Sequence, residues 1–191
     1  MPAKIDIDCG TGLLCQARQA PSSNCDARPE DCEPDLIVLH GISLPPGEFG
    51  GPEIEALFTN CLDWDAHPYF AEIRGAEVSA HLLIRRDGEL VQFVPFTRRA
   101  WHAGASTFRG RSRCNDFSIG IELEGEDEAP YDDRQYDVLI DVVRALINAY
   151  PCITSRELAA HSDIAVGRKT DPGPAFDWLR LYDGLGTSSD G

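Results

Sequence analysis

The chain has 191 residues, 42% hydrophobic and 26% charged, with a formal net charge of −15. That balance describes one soluble globular domain with its own core, and it excludes nucleic acid or an anionic membrane as a partner held by general charge. No apolar run is long enough to cross a bilayer, and the first twenty residues lack a charged-then-apolar leader pattern, so the expected location is the cytoplasm.

Residues 1–34, with "APSSNCDARPEDCEP", are rich in turn formers and are expected to wrap the surface of a domain spanning 35–183. The seven cysteines are odd in number and never form C-x-x-C, so they read as reduced thiols rather than a disulfide framework or a zinc knuckle. "DLIVLH", 35–40, is a continuous apolar run ending at His40, as in a strand buried on both faces. "GISLPPGEFGGP", 41–52, carries four glycines and three prolines. It is a long structured loop whose alternatives are gating a cleft and static support.

"PEIEALFTNCL" follows as a short helix opened by Pro52. "VSAHLLIRRDGELVQFVPF", 78–96, reads as a hairpin turning at Asp87-Gly88, with positive φ expected at both central positions. "FSIGIELEG", 117–125, alternates: Ile119, Ile121 and Leu123 share one face, Gly120, Glu122 and Glu124 the other. In 133–150 the apolar stripe Tyr136, Leu139, Ile140, Val143, Leu146, Ile147 and Tyr150 predicts a helix. Asp132 is its N-cap, Gln135 the capping-box partner, and Pro151 the stop. "PAFDWLRLYDGL" predicts a short closing helix, and 184–191 a disordered tail. The fold class is α/β: a single domain with a mixed central β-sheet flanked by helices.

The chemistry gathers on few residues. His40 ends a buried strand at a glycine-rich loop, His161 opens "HSDIAVGRKTDP", and Asp171 lies in "RKTDPGP". The prolines and glycine of that stretch exclude a helix or an interior strand. Two imidazoles and one carboxylate from separate segments make a three-ligand set that leaves a fourth tetrahedral position for water, and its N, N, O donors suit zinc. The His-x9-Asp spacing is by itself unspecific. Glu122 and Glu124 share a strand face, and alternation does not choose between them as a proton carrier. Lys169 reads either as a surface partner of Asp171 or as a cation for a developing oxyanion. His81 and His102 line or support the cleft, and His67 is structural.

These segments, with "HPYFAEI", "RAWHAG", "CNDFSIGIELEG", "HSDIA" and "RKTDPGPAFDW", resemble the AmpD-type anhydro-N-acetylmuramyl-L-alanine amidases over about residues 12–181. The resemblance implies the fold shared by those amidases and the peptidoglycan recognition proteins, and one catalytic Zn²⁺. It makes His40, His161 and Asp171 the metal ligands, Glu122 the catalytic glutamate and Lys169 the transition-state lysine. Arg113 in "GRSRCNDFS" matches a substrate-contacting arginine, and Trp101 in "RAWHAG" is either a substrate platform or a buried structural ring. The implied reaction is hydrolysis of the amide between (anhydro-)N-acetylmuramic acid and L-alanine of a small muropeptide, in cytoplasmic peptidoglycan recycling, by a monomer.

Two positions depart from the pattern. Gly41 stands where the family has asparagine, and Glu77 where it commonly has arginine, which together alter the expected grip on the stem peptide. Three other readings are carried forward: a non-catalytic muropeptide-binding protein, an exported amidase acting on intact wall, and a Cys/His hydrolase using Cys114 and His102.

Overall fold

The computed structural model describes residues 5–186. Its first strands are short: β1 (Ile7–Asp8), β2 (Leu13–Leu14), β3 (Arg18–Gln19) and β4 (Cys25–Ala27). The long β5 (Leu36–Ile42) leads into helices α1 (Glu53–Phe58) and α2 (Pro68–Glu72). β6 (Leu82–Ile84), β7 (Leu90–Gln92), β8 (Arg98–Ala100), β9 (Thr107–Phe108) and β10 (Arg111–Ser112) precede a second long strand, β11 (Ser118–Glu124). Then come α3 (Asp133–Ala149), β12 (Leu158–Ala160), α4 (His161–Ile164) and α5 (Trp178–Leu185). As the predicted strands and amphipathic helices imply, the chain forms an α/β domain around a mixed sheet.

That sheet has six strands in the order β12-β5-β11-β6-β7-β3. β12, β5, β11 and β6 run parallel, β7 is antiparallel to β6, and β3 runs parallel to β7. The two long strands sit at the centre, and every residue of β11 is buried, so neither face of it meets open solvent. On one face Ile37, Leu39, Ile119, Ile121 and Leu123 pack against α3 and α5 in the main core. The other face carries His40, Gly120, Glu122 and Glu124 beneath loops and the short helices.

α3 begins as its sequence specifies. The Asp132 carboxylate accepts from the Arg134 N–H, and the Gln135 side chain closes the capping box. Gln135 also donates to the carbonyls of Ile84 and Glu124, fixing the helix start to the sheet. The buried stripe is Tyr136, Leu139, Val142, Val143 and Leu146; Ile140, Ile147 and Tyr150 lie at its partly covered edges.

Three expectations are corrected. The hairpin does not turn through two residues of positive φ: Gly88 alone adopts it, at 88°, and Asp87 does not. The Gly88 N–H bonds the Arg85 carbonyl and the Arg85 N–H bonds the Glu89 carbonyl, a longer loop in which one left-handed residue restores the strand direction. Of the 1–34 segment, the described residues 5–34 do more than wrap the surface. β3 completes the sheet edge, β4 pairs with β8, and Leu14 is buried with its N–H on the Gln92 side chain. Of the tail, Gly184 and Leu185 finish α5 and Gly186 caps it; 187–191 lie outside the described residues.

Candidate metal centre and active site

Parallel strands deliver their C-terminal ends to one side of a sheet, where open α/β folds build their sites. Here β5 and β11 pair so that Glu122 lies opposite His40, and β12 pairs with β5 so that Ala160 lies opposite Leu39. His161, the next residue, therefore comes alongside His40. Asp171 arrives from the loop after α4, held by its own carbonyl on the Ser162 N–H and by the Tyr131 hydroxyl on the Pro172 carbonyl.

The result is a triangle. His40 Nδ1 lies 2.9 Å from His161 Nδ1 and 3.3 Å from Asp171 Oδ2, and His161 Nδ1 lies 3.0 Å from Asp171 Oδ2. Ligands at bond lengths of about 2.0–2.1 Å around a tetrahedral ion are separated by about 3.3 Å, so the donor atoms already stand near the spacing zinc requires. Among the described residues these three are the group of histidine, cysteine and acidic side chains able to hold a metal. Both histidines are buried. Burial, partly opposed by Asp171, lowers the pKa of His40 to about 4. Burial pushes the Asp171 carboxyl up, but the adjoining His161 and His40 rings prevail and hold it well below the usual carboxylate range. Neutral imidazoles and an ionised carboxylate are the states that ligate a cation.

The two glutamates of β11 separate cleanly. Glu124 is bound on both oxygens: Oε1 accepts from the Gly50 N–H at 2.6 Å and from Arg85 at 3.2 Å, and Oε2 from the Arg86 N–H at 3.1 Å. It anchors the 41–52 loop to the sheet. Glu122 is also buried, yet its Oε2 has no hydrogen-bond partner among the described residues. Burial first, then the Asp171 charge, pushes its carboxyl well above the usual range, with Lys169 pulling the other way.

His40, His161, Asp171, Glu122 and Lys169 all line one cavity of about 560 Å³. Lys169 makes no ion pair with Asp171, whose Oδ2 is taken by the two imidazoles. The cavity also has an apolar wall, with Leu57 and Phe58 from α1 and Tyr69 and Ile73 around α2. Sequence reasoning missed that wall, because apolar residues on a short helix look the same whether they face a core or a cleft. A larger groove of about 760 Å³ lies beside α3, but it holds no convergent ligand set.

Other candidates fall elsewhere. Arg113 is exposed and pairs with Asp116, and neither it nor Trp101 belongs to the cavity lining. Trp101 is tied by its backbone to Ser79. His102 lines the cavity, whereas His81 is fully buried behind it, its Nδ1 accepting from the Gly120 N–H. His67 caps α2. Cys114 is buried outside the lining, and both ring nitrogens of His102 are engaged, by His40 and Ser118, so the two do not form a nucleophile–base pair. Gly41 lines the cavity, and a Cβ there would run into the Tyr131 hydroxyl. Glu77 is exposed between Ala76 and Val78, which line the mouth.

Residues 30–174 match the family model described as N-acetylmuramoyl-L-alanine amidase. A 1,6-anhydro-N-acetylmuramyl-L-alanine amidase AmpD from Enterobacter cloacae is 62% identical over 179 residues, covering 94% of this chain and 95% of its own. A crystal structure of a selenomethionine AmpD derivative superposes with a TM-score of 0.91 at 58% identity, covering 94% of this chain and 98% of that one. The Escherichia coli amidase AmiD, in complex with anhydro-N-acetylmuramic acid-L-Ala-D-γ-Glu-L-Lys, matches with a TM-score of 0.58 at 30% identity, covering 82% of this chain and 60% of its own.

Proposed function

The chain belongs to the N-acetylmuramoyl-L-alanine amidase family, and from that premise we propose that it is a zinc-dependent amidase of small muropeptides. It cuts the amide between 1,6-anhydro-N-acetylmuramic acid and L-alanine. The observation that carries this reading is the triangle of His40 Nδ1, His161 Nδ1 and Asp171 Oδ2 on the same cavity as the Glu122 carboxylate, whose Oε2 has no hydrogen-bond partner among the described residues.

His40, His161 and Asp171 hold the ion, whose Lewis acidity when bound polarises the amide carbonyl and acidifies water. Glu122 takes the proton of the attacking water. A carboxylate whose proton affinity is raised by burial keeps that proton until the leaving alanine nitrogen can receive it. Lys169, on the cavity wall and free of Asp171, points its charge to the oxygen that becomes negative as the carbonyl is attacked. The apolar wall of α1 and α2 seats the sugar ring and excludes bulk water. Arg113 and Trp101, outside the lining, serve the parts of a muropeptide that extend beyond the cavity.

The proposed setting is the cytoplasm, in recycling of wall fragments. Seven free cysteines, four of them exposed, fit a reducing compartment. The proposed working unit is a monomer, a reading supported by the convergence of His40, His161, Asp171, Glu122 and Lys169 on one cavity within a single chain. The test is to incubate the zinc-loaded protein with anhydro-N-acetylmuramyl tripeptide and identify products by mass spectrometry. Release of free tripeptide and anhydro-sugar is expected. Binding without release would leave only a muropeptide-binding protein.

A further inference from the structure

We propose that His102 and Ser118 are positioning residues that hold His40 in the tautomer protonated on Nε2, leaving its Nδ1 lone pair bare toward the metal position. The inference rests on the metal-binding reading above and concerns what prepares that site.

The argument is a proton inventory. Ser118 has one hydroxyl proton, and it is given to the Cys114 carbonyl at 2.6 Å. Ser118 Oγ also contacts His102 Nε2 at 3.1 Å, and with its own proton spent it can only accept there. His102 therefore carries its N–H on Nε2. A neutral imidazole has a single N–H, so His102 Nδ1 is a lone pair. That lone pair lies 2.9 Å from His40 Nε2, which must donate to it. His40 in turn has its N–H on Nε2 and presents Nδ1 unprotonated to His161 and Asp171.

The surroundings are shaped for this chain of bonds. A Cβ on Gly120 would lie 2.5 Å from His102 Cγ, so glycine in the middle of β11 makes room for the His102 ring against the strand. Asn115 clamps the backbone beside it, its Oδ1 accepting from the N–H groups of His102 at 3.2 Å and Ala103 at 2.8 Å. The Ala103 carbonyl then faces His161 Nε2 at 3.4 Å. One dipeptide, His102–Ala103, thus supplies the acceptor behind both histidines: a side chain for His40 and a main-chain carbonyl for His161. Such acceptors fix the ring orientation and tautomer of metal-binding histidines. With both Nδ1 atoms bare beside the Asp171 carboxylate, three lone-pair donors face the metal position, an arrangement that favours a cation.

The test uses the full chain as wild type, Ser118→Ala, His102→Phe and His102→Asn. Zinc affinity is measured by competition with a chromogenic chelator. Long-range proton–nitrogen NMR of the metal-free wild type reads which ring nitrogens are protonated. We expect His40 and His102 both protonated on Nε2, zinc affinity weakened about 10–100-fold in His102→Phe and less in Ser118→Ala, and recovery in His102→Asn, whose amide oxygen can accept. A wild-type His40 protonated on Nδ1, or folded Ser118→Ala and His102→Phe proteins binding zinc within twofold of wild type, would overturn the proposal. If a variant does not fold, the tautomer spectrum of the wild type decides. A wild type that binds no zinc would instead overturn the metal reading, and this inference with it.

Discussion

Glu122 lies directly opposite His40 across two parallel strands, so that one strand supplies a candidate metal ligand and its neighbour a candidate proton carrier at the same level of the sheet. A shift of register by one residue would move Glu122 to the face packed by α3. The chemistry of the site is therefore tied to the pairing of β5 with β11, and several outcomes follow from it.

Glu122→Gln keeps the shape of the side chain and removes its capacity to take a proton. Zinc content and melting temperature should stay at wild-type values, while kcat falls about 10²–10⁴-fold. Glu124→Ala should do the reverse. It leaves Arg85 without its buried partner and frees the 41–52 loop, costing about 3–5 kcal/mol of stability by denaturant titration. Retained turnover in Glu122→Gln would remove the proton role from this residue.

Asp171→Ala deletes one corner of the ligand triangle. We expect loss of bound zinc by elemental analysis together with loss of turnover. Chelation of the wild type should have the same effect, reversed by added zinc. Because the ion binds the folded state, zinc at about 100 times its dissociation constant should add about 2.7 kcal/mol to stability, read as a raised melting temperature.

Lys169→Met removes a charge from the cavity without touching the triangle. The expected signature is a kcat lowered about 10²–10³-fold with KM and zinc content little changed, the pattern of an interaction formed only in the transition state. A rise in KM alone would make Lys169 a substrate-binding residue.

Glu77→Arg restores a cation at the mouth of the cavity of a protein whose net charge is −15. For muropeptides with free stem carboxylates, KM should fall by up to about tenfold at low ionic strength. Because the position is exposed, the gain should shrink at high salt. Equal KM values for the two proteins at low salt would dissociate Glu77 from substrate preference.

His81 gives a pH dependence of stability. Burial, aided by the nearby Arg28 charge, lowers its pKa to about 3 in the folded state, against about 6.5 unfolded. Between those values the unfolded chain holds a proton that the folded chain does not. This contribution is fully present above about pH 6.5 and is lost as pH falls toward 3, at up to about 1.4 kcal/mol per pH unit. Urea titrations of wild type and His81→Asn from pH 7 to 4.5 should differ in slope by about one proton. Parallel profiles would show that His81 titrates normally.

Much of this protein is legible in the chain itself. Asp132 and Gln135 declare the start of α3 and Pro151 follows its end, because capping and proline chemistry act within a turn of the residues concerned. The apolar run before His40 declares a buried strand, and the motifs around His40, His161 and Asp171 declare a family and a candidate ligand set. The hairpin turn departs from the two-residue expectation for a local reason: Asp-Gly suits two loop types, and the extra residue is settled by the pairing of Ile84 with Leu90.

What only the tertiary structure shows is how two residues equivalent in periodicity differ in their surroundings: Glu122 lines the cavity, whereas Glu124 is bound on both oxygens. Glu122 and Glu124 point the same way from one strand, and no periodicity distinguishes them. The difference arises from what lies above each, Arg85 and the Gly50 amide over one and open cavity over the other. The same holds for His102, whose partners Ser118 and His40 lie 16 and 62 residues away in sequence. Local sequence specifies elements through short-range sterics and hydrogen bonds; the identity of a side chain's distant neighbours is fixed only when strands pair and the loops close over them.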